Sequence, residues 1–549
     1  MVENSNSKRA AALERLGTES FDLLVVGGGI TGAGIARDAA LRGLKVALVE
    51  KLDFGAGTSS KSSKLIHGGL RYLEQGELGL VFESVNERKR LMRLARHLVR
   101  PLPFLVTNFK GDRRWLATLA LGLWIYDALC FFGNYKNHTT FGAKKTLALE
   151  PQLRSQGLNG GILYYDCVTD DARLTLECAL DAQALGAVVL NHAKAGKLLR
   201  DEAGKICGAV ITDVEGVGKQ IEARAKVVIN ATGPWSDEVR ALASEPGILK
   251  PTKGIHVVMD AARLPVKHAL MMSSPRDKRA VFCIPWGLGR TVVGTTDTFF
   301  DGSPDSVEPT RADVEYLLET ANSYFPQAQL VSADVLATWS GLRPLLKPED
   351  ETEGASAVSR EHEIYDAPGF VTIAGGKLTT FRRMAAEVVD HAIAQLGVKT
   401  KSTTANRPLP GGQGLEESDE ALEALAKSLE TPGLPEGGAR YLAGEYGARA
   451  PTLVARGKAD PTAFERLDPE LPSIFAQVDE AVEVELARTL DDVISRRIPL
   501  VLRARDQGLG ISEKVAARLA TKLGWSAERT QAELAKYRAV VSSTRTFRS

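Results

Sequence analysis

Three glycines at the spacing Gly27-x-Gly29-x-x-Gly32 lie between a short apolar run, residues 21–26, and a segment of helical pattern that reaches Leu41. That order suits the phosphates of a dinucleotide. Gly27 permits the tight turn, Gly29 lets a pyrophosphate approach the backbone, and Gly32 allows close helix packing, while the helix N-terminus supplies amide donors and positive potential. Glu50, about 20 residues on at the end of the next apolar run, would accept hydrogen bonds from ribose hydroxyls. A glycine-rich turn beside a surface glutamate is the bland alternative, and the register of strand, helix and acid weighs against it. The motif by itself does not choose between nicotinamide and flavin dinucleotides. Directly after it, Gly57-Thr58-Ser59-Ser60-Lys61-Ser62-Ser63-Lys64 gathers small donors able to wrap phosphate and flavin, although composition alone favours a flexible Ser-rich loop.

These residues need rigid elements behind them. Residues 21–26 and 45–49 read as buried parallel strands around a helix over 31–41, which is a βαβ unit. Helical patterns recur over 83–96 and 172–185, and short apolar runs at 188–190 and 226–230 continue the alternation, which argues for α/β architecture. Residues 279–285 and 290–294 look like adjacent antiparallel strands in a β-rich substrate region, and 370–374 is a strand running into Gly375-Gly376 and a helix from 378 to 394. The expected division is a polar N-terminal tail over 1–20, dinucleotide-binding and interleaved substrate-binding domains over 21–399, a Pro- and Gly-bearing linker over 400–417, and a helical C-terminal domain over 418–549.

Lys plus Arg number 69 and Asp plus Glu 68, so no net field favours nucleic acid as a partner. The five cysteines form no Cys-x-x-Cys pair and no metal-ligand spacing with histidine, so no metal site is expected and buried thiols in a reducing compartment are. The first twenty residues hold no apolar stretch for a secretory signal. The run 116–132 is apolar but carries Gly122 and Asp127 and falls short of the about 20 residues a spanning helix needs, so no transmembrane helix is expected.

The run Ser62-Ser63-Lys64-Leu65-Ile66-His67-Gly68-Gly69-Leu70-Arg71-Tyr72-Leu73 resembles the signature segment of the FAD-linked, aerobic, quinone-linked glycerol-3-phosphate dehydrogenases, a branch of the D-amino-acid-oxidase-like flavoproteins. Further similar motifs follow in order: Asp170-Asp171-Ala172-Arg173-Leu174, Asn230-Ala231-Thr232-Gly233-Pro234-Trp235, Lys253-Gly254-Ile255-His256-Val257-Val258, Ile284-Pro285-Trp286, Gly294-Thr295-Thr296-Asp297, Ser340-Gly341-Leu342-Arg343-Pro344-Leu345 and Gly375-Gly376-Lys377-Leu378-Thr379-Thr380. The resemblance implies an α/β fold with an FAD-binding Rossmann-like domain, a β-rich substrate domain and a helical C-terminal domain. It implies oxidation of sn-glycerol 3-phosphate to dihydroxyacetone phosphate, with hydride passing to non-covalent FAD and electrons to a membrane quinone. The cofactor contacts it implies are Gly27, Gly29, Gly32, Glu50, Thr58, Ser59, Ser60, Ser63, Ala231, Gly233, Gly376, Lys377, Leu378 and Thr379. Backbone amides at Gly375-Gly376-Lys377 and the lysine itself would hold negative charge on the pyrimidine side of a reduced flavin.

For the substrate, a phosphorylated polyol is a dianion that suits the planar fork of guanidinium groups. Arg71 and Arg343 are the phosphate candidates, with Tyr72 beside the first and Arg360 a third. His256 is expected as base or substrate orienter, since histidine titrates near neutrality, although a lone histidine in an apolar strand is more often structural. Lys377 could share the role, His67 could pack under the cofactor, and Asp297 is expected to order its loop.

The resemblance places the protein in the cytoplasm, attached peripherally to the inner face of the cell membrane, and Arg113, Arg114, Trp115 and the run 116–132 suit an interfacial helix. An ordinary buried helix is the equal alternative there. The C-terminal helices could cap the active-site domain, pair two copies as a homodimer or touch lipid. Three other readings stand open: an oxygen-using oxidase, a related FAD enzyme acting on a 2-hydroxy acid or amino acid, and a flavin-binding redox sensor without turnover.

Overall fold

Residues 5–69, 77–112, 115–130, 133–216, 218–347, 361–416 and 418–548 are described by a computed structural model. The glycine motif follows strand Ser20–Val26, which sits at the centre of the first sheet. Its order is His362–Ala367, Phe370–Gly375, Gln220–Asn230, Ser20–Val26, Val46–Val49 and Val188–Leu190, with Ala193–Arg200 and Ile206–Asp213 added as a hairpin beside Gln220–Asn230. All but the first of those six pair in parallel. Such strands are apolar along their length because both faces are covered: helices Ile30–Leu41, Asp171–Ala184 and Phe381–Gln395 pack on one side. Helix Ser5–Thr18 closes the other. Those residues, expected as a polar tail, are helical because Ala12, Leu13 and the fully buried Leu16 face the sheet while Arg9 is held by Asp213 at 2.6 Å.

Among the described residues a ten-stranded second sheet carries the middle of the chain, and strand Thr252–Asp260 runs antiparallel between Arg290–Gly294 and Val335–Arg343. Side chains alternate across it. Ile255, Val257 and Met259 turn to a core shared with Val314, Leu317 and Leu318 of helix Arg311–Tyr324. Thr252, Gly254 and His256 turn the other way, on the face that Trp339, Gly341 and Arg343 share through the register His256↔Trp339, Gly254↔Gly341 and Thr252↔Arg343. That second face meets the glycine-motif half of the molecule.

Residues 400–416 are held against the first half of the chain. Leu409 N donates to Leu94 O at 2.8 Å, Arg37 donates to Arg407 O at 2.7 Å, and Gly411 N to Glu177 at 3.1 Å, so the segment is stitched to the first half before the C-terminal helices begin. Those helices close over helix Asp171–Ala184. Arg173, fully buried, takes Glu485 in a two-pronged pair at 3.0 and 3.1 Å and lies 3.9 Å from the ring centre of Tyr446. No helix among the described residues is long and apolar enough to cross a membrane.

Replacing Arg173 by Ala takes its two-pronged partner from buried Glu485, which keeps Arg449 at 2.9 Å, and breaking such a buried pair costs about 3 kcal/mol. Chemical denaturation should show that loss, whereas Arg15→Ala, at the exposed pair with Glu19, should shift stability by less than about 1 kcal/mol.

Candidate cofactor and substrate site

The turn after strand Ser20–Val26 is built for backbone contact. Gly27 sits at φ +108, where a side chain would meet Ala231 O at 2.6 Å, and a Cβ on Gly32 would lie 1.9 Å from Gly27 O. Only glycine lets the helix start that close to the strand. Gly29 begins helix Ile30–Leu41 without a side-chain cap, and Ser59 Oγ accepts from Ile30 N at 2.9 Å, so the amide end of the helix opens toward the loop 57–63. Glu50 accepts from Gly28 N at 2.7 Å through one oxygen and from Leu52 N at 2.8 Å through the other. Burial pushes its carboxyl above the usual range, opposed by those two amides. A carboxylate offers about four acceptor positions, so lone pairs remain for a ribose.

A cleft runs from there along Thr58 and Ser59, past Ala193 to Ala195 and Ala231 to Trp235, to Gly375, Gly376, Lys377 and Leu378. Of the expected cofactor residues, Gly27, Gly29, Glu50, Thr58, Ser59, Ala231, Gly233, Gly376, Lys377 and Leu378 line it. Gly32 stands behind the turn. Gly376, at φ +91, leaves no room for a side chain against Met384. Three others are not among the lining residues: the Ser60 backbone carbonyl accepts from Lys64 Nζ, Ser63 Oγ bonds His256, and Thr379 Oγ1 bridges the backbone N and O of His67 at 3.1 and 3.2 Å. The glycine-cradled turn, the amide end of the helix, the half-buried acid and the run of the cleft between them fit a bound FAD, which the ten lining residues would hold.

The loop 57–64 is what joins this cleft to the second sheet. Thr58 Oγ1 donates to Leu342 O at 2.6 Å and Trp339 Nε1 donates to Ser62 O at 3.1 Å. Gly341 must be bare, because a Cβ there would lie 2.8 Å from Lys61 O. Asp171 takes Lys64 Nζ at 2.6 Å and Ser62 Oγ at 2.7 Å, which gives the Asp170-Asp171-Ala172-Arg173-Leu174 motif a positioning role.

On the sheet face, His256 is 2% exposed and stacks on Trp339, ring centres 4.6 Å apart at 12°. A Cβ on Gly294 would lie 2.1 Å from its ring, so that glycine gives the imidazole its place. Burial, reinforced by Arg343 and Lys64, holds His256 well below the usual histidine range, which favours the neutral imidazole. Arg343 lies over Gly254 and donates to Asp297 at 2.9 Å, to Thr295 Oγ1 at 3.1 Å and to Thr296 O at 3.1 Å. Asp297 thus fixes the guanidinium as well as its own loop, whose carbonyl also accepts from Arg279. His67 packs edge-on to Phe282. Arg71, Tyr72 and Arg360 lie outside the described residues. Sequence reasoning missed Trp339 as the stacking partner, and Lys51, Trp235 and 193–195 as the far wall of the cleft; only register and chain return bring them there.

A parallel nucleotide sheet joined through a glycine-cradled cleft to a second sheet defines an FAD-dependent oxidoreductase of the D-amino-acid-oxidase-like class. The family model described as FAD dependent oxidoreductase matches residues 22–382, and that described as the C-terminal domain of alpha-glycerophosphate oxidase matches residues 402–530. The glycerol-3-phosphate dehydrogenase 2 of Mycobacterium tuberculosis is 39% identical over 98% of this chain and 91% of its own length. The aerobic glycerol-3-phosphate dehydrogenase of Staphylococcus saprophyticus is 36% identical over 95% of the chain and 94% of its own length. The crystal structure of the glycerol-3-phosphate dehydrogenase from Bacillus halodurans complexed with FAD superposes with a TM-score of 0.82 at 32% identity, covering 98% of both chains. The chain belongs to the FAD-dependent glycerol-3-phosphate dehydrogenase family.

Glu50→Ala would remove the expected ribose acceptor and leave Gly28 N and Leu52 N without their side-chain partner. Flavin fluorescence titration should show FAD held tenfold to a hundredfold more weakly, on the order of 1.5–3 kcal/mol for hydrogen bonds to a charged group; an unchanged affinity would remove Glu50 from the cofactor contacts.

Proposed function

We propose that the protein oxidises sn-glycerol 3-phosphate to dihydroxyacetone phosphate, with electrons passed on to a membrane quinone. FAD in the cleft supplies the hydride acceptor. The observation that carries this reading is that His256 and Arg343 share one sheet face, directly against the loop 57–64 that walls the cleft. The relatives named as glycerol-3-phosphate dehydrogenases supply the substrate.

Arg343 would hold an anionic oxygen of the substrate, its charge oriented by Asp297 and the two threonines. Arg71, with Tyr72, and Arg360 would complete the phosphate site. Lys377, at the start of the short helix Leu378–Thr380, would place a cation where negative charge collects on the cofactor's side of the site. His256 enters as a neutral ring, as base or as orienter of the alcohol.

Attachment to the inner face of the membrane would use helix Leu116–Leu129. Leu123, Tyr126 and Asp127 are its buried side, while Trp115 is 81% exposed, Leu121 61% and Trp124 57%, and Leu78 and Phe82 are exposed on helix Leu78–Leu94. An apolar, Trp-bearing outer face of this kind suits the headgroup boundary.

An anaerobic absorbance spectrum tests the chemistry: adding sn-glycerol 3-phosphate to the FAD-loaded protein should bleach the flavin bands, and Arg343→Ala should raise the substrate concentration needed at least tenfold. Bands that persist with folded, loaded protein would reject the substrate. Oxygen and a soluble quinone analogue, compared as acceptors in turnover, would separate an oxidase from the dehydrogenase proposed. For the membrane, the wild type should sediment with quinone-containing vesicles and Trp124→Glu with Leu121→Glu should abolish it; protein that stays wholly in the supernatant would refute peripheral attachment.

A further inference from the structure

Ser63 Oγ lies 2.8 Å from His256 Nε2, and among the described residues neither side chain has another hydrogen-bond partner. The ring cannot turn to find one. Trp339 stacks along one side, Gly294 leaves no more than the width of the ring on the other, and Nδ1 is sealed from solvent without an acceptor or donor. His256 is almost wholly buried, whereas Ser63 keeps partial exposure. Whatever the imidazole does at this site, it does through the serine.

A neutral imidazole carries one N–H and one lone pair. If Nδ1 held the proton, a buried donor would be orphaned; if Nε2 holds it, the donor meets Ser63 Oγ and only a lone pair is sealed. Orphaned buried N–H groups are rarer than under-satisfied acceptors, and each costs about 1–3 kcal/mol. The geometry therefore selects the Nε2–H tautomer, which is a hydrogen-bond donor toward Ser63 and offers no base on that side.

We propose that Ser63 is a catalytic residue of the alcohol oxidation and His256 its positioning residue: Nε2–H holds the serine oxygen from behind, so that the Ser63 hydroxyl proton turns to the substrate oxygen. This rests on the function proposed above and chooses the orienting role of His256 over that of base. A chain of two aligned donors polarises its outer member, so Ser63 presents a stronger donor than an isolated hydroxyl. The substrate's hydroxyl proton leaves to solvent, which the partly exposed Ser63 borders, and its carbon hydride goes to the FAD acceptor; the serine donor stabilises the negative charge the oxygen carries in between, which lowers a barrier rather than merely tightening binding. Arg343 supplies the charge that Ser63 lacks.

The test is the nitrogen NMR spectrum of the full-length, FAD-loaded protein labelled with 15N-histidine, the His256 signals being those missing in His256→Gln. A protonated Nε2 and an unprotonated Nδ1, with the Nε2 signal displaced in Ser63→Ala, is the expected result; a protonated Nδ1 with bare Nε2, or an imidazolium at neutral pH, overturns the proposal. In turnover, Ser63→Ala should lower kcat roughly tenfold to a hundredfold with FAD retained, and Ser63→Thr should restore most of it. His256→Gln, which keeps an amide donor, should retain more activity than His256→Ala; equal loss in both, as a general base would require, also overturns it. If no wild-type bleaching occurs with glycerol 3-phosphate, the substrate reading fails, while the spectrum still decides the tautomer.

Discussion

The carboxylate of Asp171, buried beneath Lys64 Nζ and the backbone and hydroxyl of Ser62, fixes the segment on which both halves of the site depend. Burial raises the carboxyl above its usual value and the lysine opposes this, so the pair is held by geometry in a place where losing either partner leaves an uncompensated charge. From that anchor the loop 57–64 reaches the cleft through Thr58 and Ser59 and the sheet face through Ser62 and Ser63. Cofactor and substrate sites are therefore set by one stretch of backbone.

A second set of buried charges locks the C-terminal helices to the same region. Arg173, two residues beyond Asp171, takes Glu485, and Asp53, three residues beyond Glu50, takes Arg496 at 2.7 Å and Arg497 at 2.6 and 2.8 Å. Asp53, His192 and Asp492 come close enough to resemble a metal cluster, but the two arginines already occupy the carboxylates, and His192 bonds Asp492 at 2.9 Å. Here the charges act as a clasp. The helical domain thus lies against the loops after strands Val46–Val49 and Val188–Leu190, the loops that shape one end of the cleft.

The cofactor half was legible because its signals are local. Gly27, Gly29 and Gly32 act through backbone clashes within a few residues, and Glu50 through the strand next door. The helix Ser5–Thr18 was not legible, because its apolar side is only Ala12, Leu13 and Leu16, and polar composition outweighs so narrow a stripe until the sheet beneath it is known. Ser60, Ser63 and Thr379 sit in motifs that mark the cofactor loop, and motif membership gives no direction to a side chain. In the folded chain Ser63 and Thr379 turn to His256 and His67, while Ser60 lends its backbone carbonyl to Lys64.

By itself the sequence determined the βαβ unit, the glycine cradle, the acid at the second strand end and the family, since each rests on residue types at short, fixed spacing. The tertiary structure alone decided what His256 and Arg343 can do. Strand register set the ring between Trp339 and Gly294, loop docking brought Ser63 to Nε2 from 193 residues away, and Asp297 oriented the guanidinium. The physical reason is that hydrogen-bond partnership and desolvation depend on distance in space, and between remote segments that distance exists only after the sheets have closed on each other.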